Sequence, residues 1–296
     1  MSDKWIETIK TFGTIAIELT VLFLAVAFLV ALLQRRLGEE RLQRWMGGGT
    51  FTAPLKGIVL GAVTPFCSCS TLPMLMGMLK VGVPFTGAAA FLIASPLLDP
   101  IVFGVVWILF GWKIMIGYSI VTFVVTIIIS LIWGKMGMER FVRRVKVSAE
   151  GHDTSPWQGL RTEAGPAWHQ AKSFFKPLII PMVVGVSVGA FIYGVVPQSF
   201  LVSVAGPGNL LAVPIAALIG IPLYVRTESI LPIGLALSSA GMGLGPVFAL
   251  VIGGAGASIP EVTMLSAIFK PRLVATFVAS VLLVAVAGGV IIPLFA

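Results

Sequence analysis

Ser70-Thr71-Leu72-Pro73 returns later in the chain, at an offset of 159, as Ser229-Ile230-Leu231-Pro232. The same offset lays Gly61 on Gly220, Gly82 on Gly241, Ala90 on Ala249 and Phe110 on Phe269, and Asp99-Pro100 falls one residue from Ile259-Pro260. After each signature comes a long apolar segment, a short basic break (Lys113; Lys270 and Arg272) and a final apolar segment. Glycines, prolines and segment order kept together in this way predict an internal duplication.

Composition supplies the solvent. Of the 296 residues, 57% are hydrophobic and 11% charged, and the mean hydropathy is +1.03. A soluble domain carries about a quarter charged residues. The apolar residues also fall in blocks long enough to cross a bilayer, which takes about 20 residues of helix. Phe12–Leu33, Phe85–Phe110, Met115–Trp133, Leu178–Val196, Gly245–Phe269 and Leu273–Phe295 qualify. The chain opens on the polar Met1–Lys10 and its first apolar block is a full span, so no cleavable leader is expected. The expected fold is therefore an all-α integral membrane protein, with one repeat in residues 1–136, a basic linker loop in 137–172 and a second repeat in 173–296.

Lysine and arginine placement makes the repeats inverted. Arg35, Arg36, Arg41 and Arg44 follow the first span, whereas the equivalent Pro197–Asn209 holds no basic residue. The segment from Lys135 to Lys176 carries eight. With that segment in the cytoplasm, tracing outward puts 16 basic residues inside, three (Lys4, Lys10, Lys113) outside and Arg226 within the bilayer. The positive-inside rule then predicts a multi-pass protein of the cell inner (plasma) membrane with a cytoplasmic centre and both termini outside. The net charge of +8 is thus accounted for by topology, and nucleic acid is not an expected partner.

Each half has two pieces too short to span. Thr52–Thr64 and Ser70–Leu79 hold 13 and 10 residues, about 20 and 15 Å of helix against a hydrocarbon core of about 30 Å. Leu210–Ile221 and Ser229–Leu237 repeat the pattern. A re-entrant or short-helix hairpin in each half is expected beside three long transmembrane helices, because proline disfavours helix in the residue before it and Thr64-Pro65 stands at the turn.

The turns hold the reactive groups. The first reads Thr64-Pro65-Phe66-Cys67-Ser68-Cys69-Ser70 and contains both cysteines of the chain. A helix start beyond them favours thiolate, a soft-ion ligand or nucleophile. One intervening residue strains a disulfide, and the only histidines, His152 and His169, lie in the central segment, away from any zinc set at the turn. The second turn reads Tyr224-Val225-Arg226-Thr227-Glu228-Ser229, with Arg226 at the place of Cys67 and Glu228 at that of Cys69. An ionised group at membrane depth costs about 2.5–3.5 kcal/mol, which makes Arg226, Glu228 and the mid-span acids Asp99 and Glu261 functional candidates. An ion pair of Arg226 with Glu228 or Glu261 that only fixes the turn is the competing explanation. The candidate substrate-binding or coupling set is Cys67, Ser68, Cys69, Ser70, Arg226, Thr227, Glu228, Ser229, Asp99 and Glu261.

Thr64–Ser70 followed by Pro73 resembles the signature of the predicted permease family that includes YraQ and the ArsP-type organoarsenical permeases. Arg226–Pro232 and Gly253–Glu261 are closer to the YraQ branch. The resemblance covers nearly the whole chain and implies a permease; the characterised ArsP-type members imply efflux of trivalent organoarsenicals, with Cys67 and Cys69 as As(III) ligands.

Together these readings point to a secondary transporter that moves a small thiophilic or anionic solute by alternating access, with proton or ion coupling and room for a homo-oligomer. No phosphate-binding loop occurs, so neither a nucleotide nor another cofactor is expected. The competing classes are a membrane thiol-disulfide oxidoreductase using Cys67 and Cys69, and a channel.

Overall fold

The computed structural model describes residues 51–63, 68–80, 82–143, 159–175, 211–222, 227–239 and 241–295, with isolated positions between 21 and 49 and between 179 and 184. Nearly all of it is helical. In chain order the helices are α1 (Thr52–Val63), α2 (Ser68–Lys80), α3 (Phe85–Ala94), α4 (Pro100–Phe110), α5 (Trp112–Lys135), α6 (Leu160–Phe175), α7 (Ala212–Gly220), α8 (Thr227–Ser239), α9 (Leu244–Gly256), α10 (Ile259–Ile268) and α11 (Pro271–Ile291). Among the described residues, three stretches are long and apolar enough to cross a membrane: Trp112–Lys135, Leu244–Ile268 and Pro271–Phe295. The expected first span Phe12–Leu33, the span Leu178–Val196 and the turns at 64–67 and 223–226 lie largely or wholly outside the described residues.

Helix starts recur at the offset of the sequence repeat. Ser68, Phe85, Pro100 and Trp112 begin α2 to α5, and the positions equivalent to them, Thr227, Leu244, Ile259 and Pro271, begin α8 to α11. The ends of α2 and α8 are alike in chemistry. Val83 N–H donates to Met78 O and Met242 N–H to Leu237 O, both at 3.0 Å. Gly82 and Gly241 sit between them at φ +80° and +101°, the left-handed position that closes a helix and favours glycine.

Two of the apolar blocks are broken helices. Phe85–Phe110 divides at 95–99, where Pro96 lacks a backbone donor and Pro100 opens α4, and Gly245–Phe269 divides at Ala257 and Ser258. Each block is long enough to span in one helix, so length gave no warning of the breaks, although Ser95, Pro96, Asp99 and Pro100 mark the first and Ser258 and Pro260 the second. The breaks adjoin: a Cβ on Gly256 would lie 3.3 Å from Leu97 Cδ2.

The halves pack along α5 and α11, which run antiparallel. Trp133, near the end of α5, bonds Ser280 on α11, while Gly117, near its start, faces the Phe295 ring beyond the other end of α11. Within each half, glycine brings α1 onto α3 and α7 onto α9, as small residues do in membrane helix pairs. A Cβ on Gly61 would lie 3.1 Å from Ser95 N, and one on Gly220 2.8 Å from Gly254 N, at equivalent positions. Between halves the packing is crosswise: α2 meets α10, and α4 meets α8.

The central segment departs from expectation as well. It is not loop throughout, because residues 160–175 form α6. Glu163, Ala167 and Ala171 recur every four residues on its buried side, and Trp168 meets Phe28 edge to face at 6.0 Å. A buried face built from alanine and one acid carries little hydropathy signal.

Candidate functional site

Helix α2 begins at Ser68, two residues earlier than the sequence reading placed it, so Ser68, Cys69 and Ser70 occupy its first turn. Thr227, Glu228 and Ser229 occupy the first turn of α8. The first N–H groups of a helix have no partner within it, and the macrodipole puts partial positive charge there, so both turns are suited to negative charge. Cys67 and Arg226 lie outside the described residues, and so do the side chains of Ser68, Cys69, Ser70, Thr227, Glu228 and Ser229. The expected soft-ion ligation by Cys67 and Cys69 therefore falls outside as well. Among the described residues there is no group of three or more histidine, cysteine, aspartate or glutamate side chains that could hold a metal ion.

The two mid-span acids differ in setting. Asp99 is half-buried at the N-cap of α4, with φ −64° and ψ 139°, and its Oδ1 accepts the Ile101 N–H at 2.9 Å. Its counterpart at the other break is Ser258, at φ −61° and ψ 152°, rather than Glu261. Capping thus gives Asp99 a local structural role beside any coupling role. Glu261 lies in the first turn of α10 and is 1% exposed. Its helix packs against α2, so the crosswise contact brings the helix of Glu261 to the helix of Cys69. The reciprocal contact brings α4, capped by Asp99, to α8, which carries Glu228.

Three polar residues missed by the sequence reading surround the first break. Thr71 Oγ1 and Ser95 Oγ lie 3.2 Å apart, both buried, joining α2 to the end of α3. Tyr118 donates its hydroxyl to Leu97 O at 2.7 Å, satisfying a carbonyl within the break. At the repeat offset the hydroxyl pair maps onto Ile230 and Gly254, so the second half has no equivalent pair. Position within the signature could have singled out Thr71, and the neighbouring Pro96 could have singled out Ser95. Nothing local marked Tyr118, whose role depends on a backbone break 21 residues away.

Relatives match most of the chain's length. The chain is 25% identical to the UPF0718 protein YcgR of Bacillus subtilis, over 98% of each chain. It is 24% identical to a Streptococcus mutans protein named "Putative two-component membrane permease complex subunit", over 92% of this chain and 90% of that one. With the UPF0718 protein YraQ of Escherichia coli it shares 24% identity, over 82% of this chain and 68% of the other. No solved structure matches it. The model of the ArsP_1 family, described as predicted permease, matches residues 4–294, and the chain belongs to that family.

Proposed function

We propose that this membrane protein is a secondary transporter made of two inverted repeats, with its substrate site at the first turns of α2 and α8. The observation that carries the reading is the crosswise packing of α2 on α10 and α8 on α4. Each signature helix leans on the post-break helix of the other half. A rocking of one half against the other would therefore change the surroundings of both turns together, as alternating access requires. The antiparallel course of α5 and α11, which begin at equivalent positions of the repeat, supports the inversion.

The substrate class follows from the groups at the turns. Cys67 and Cys69 would take a thiophilic solute, such as a metalloid or organoarsenical compound, and Arg226 with two helix starts would take an anion. Glu261, Glu228 and Asp99 would couple the movement to protons or another ion. Efflux from the cytoplasm through the inner membrane is the proposed direction, with the central segment inside and both termini outside. The gathering of Lys135, Arg140, Arg143, Lys270 and Arg272 at one end of α5 and α11, with Lys113 toward the other, supports that orientation. The Streptococcus relative's name suggests that this chain too acts with a second subunit.

The test is flux in proteoliposomes, comparing wild type with Glu261→Gln and the two cysteine-to-serine variants. Loss of flux with retained folding supports the site. Loss under oxidant and recovery with reductant, independent of any solute, would favour the thiol oxidoreductase instead. For orientation, a cysteine placed in 148–158 should be shielded from impermeant reagents in intact cells.

A further inference from the structure

The junction where α5 ends and α11 begins gathers charge whose placement sets orientation but whose close grouping the transport reading does not explain. Stretches 135–143 and 268–272 hold Lys135, Arg140, Arg143, Lys270 and Arg272 against one acid, Glu139, and all five basic residues are exposed. Backbone pairing fixes the two stretches to each other. Val142 and Phe269 form an antiparallel bridge, Arg143 N–H donates to Ile268 O at 2.9 Å, and Lys270 N–H donates to Phe141 O at 2.9 Å. The guanidinium carbons of Arg140 and Arg272 lie 5.0 and 5.8 Å from the centre of one ring, Phe141.

Two guanidiniums, one from the segment after α5 and one from the start of α11, share one phenyl ring, and like charges held around one ring repel each other. Each cation–π contact at an exposed site contributes only about 0.5–1 kcal/mol. A phosphate between them would relieve the repulsion, and the planar guanidinium fork matches its oxygens. Ile132 and Met136, exposed at the end of α5, supply an apolar wall next to the charges. That combination fits a ligand with both phosphate and acyl chains. Basic groups at the end of a membrane span meet such ligands as anionic headgroups. We infer that Arg140 and Arg272 bind the phosphate of an anionic phospholipid, which clamps the segment that follows α5 to the start of α11.

The experiment is thermal unfolding of the purified full chain in neutral detergent with added phosphatidylglycerol, phosphatidylcholine or soluble glycerol phosphate. Phosphatidylglycerol should raise Tm above phosphatidylcholine, and Arg140→Gln with Arg272→Gln should remove most of that increment, taken for each protein as the difference between its own two lipids. Phosphatidylglycerol affinity should fall roughly 5-fold for each charge removed. Lys113→Gln, in the first turn of α5 at the opposite end, should keep the increment. The inference is overturned if the double variant keeps the full increment, if Lys113→Gln loses it equally, or if glycerol phosphate reproduces it. Should the double variant not fold, Arg272→Gln alone decides by native mass spectrometry. Several-fold fewer retained phosphatidylglycerol molecules support the site, and an unchanged number overturns it.

Discussion

Trp133 donates its indole N–H to Ser280 Oγ at 3.0 Å, across the seam where the two halves of the chain meet. Ser280 in turn donates to Thr276 O at 2.7 Å, so its hydroxyl is oriented to accept. Ser280→Ala strands a buried donor. The expected loss is about 1 kcal/mol, between the ~0.6 typical of interhelical bonds in membranes and the 1–3 for a stranded buried group. The unfolding midpoint in detergent measures it, and an unchanged midpoint would mean that the seam does not depend on this bond.

Close backbone approach makes a second prediction. A methyl on Gly220 would meet Gly254 N at 2.8 Å, an atom that cannot move without shifting α9. Gly220→Ala should therefore destabilise at the upper end of the overpacking range, about 3 kcal/mol. Gly49→Ala, where no described atom lies within 4 Å of the added carbon, should be nearly neutral. Equal folded yields for the two variants would contradict the packing.

The hydroxyls of Thr122 and Thr126 on α5 are buried without a hydrogen-bond partner among the described residues. Their equivalents in the second half are Val281 and Ala285, also buried. Thr122→Val and Thr126→Val should leave stability equal or higher, since a buried polar group without a bond costs free energy. A fall in the midpoint equivalent to more than about 1 kcal/mol would show that the hydroxyls are engaged.

What the sequence could reveal depended on where each signal resides. The spacing of the helix starts was readable because identical residues mark it, Gly82 with Gly241 and Pro73 with Pro232. The breaks at 95–99 and 257–258 were hidden inside continuous apolar runs, although Pro96, Pro100 and Pro260 stood beside them. Helix α6 was missed because alanines form its buried face. The Thr71–Ser95 pair and the Tyr118–Leu97 bond are tertiary, joining residues more than 20 positions apart, and no local pattern encodes such meetings.

Tyr118→Phe tests the first break without altering its packing. The variant deprives Leu97 O of its donor, which should cost about 1 kcal/mol. If the break must hold its shape during transport, flux should fall more than stability does. Reduced stability with wild-type flux would confine Tyr118 to a structural role.

The central claim is that solute passes where the signature helices begin. Flux of a trivalent aromatic arsenical and of a small oxyanion into proteoliposomes, in wild type and in Cys67→Ser, Cys69→Ser and Glu261→Gln, tests it most directly. The account predicts flux of one or both probes above protein-free liposomes. Thiophilic flux should be lost in the two serine variants, and flux of either probe should be lost in Glu261→Gln, with all three proteins folded in the membrane. Wild-type flux in all three variants, or no flux of either probe in wild type, would contradict it.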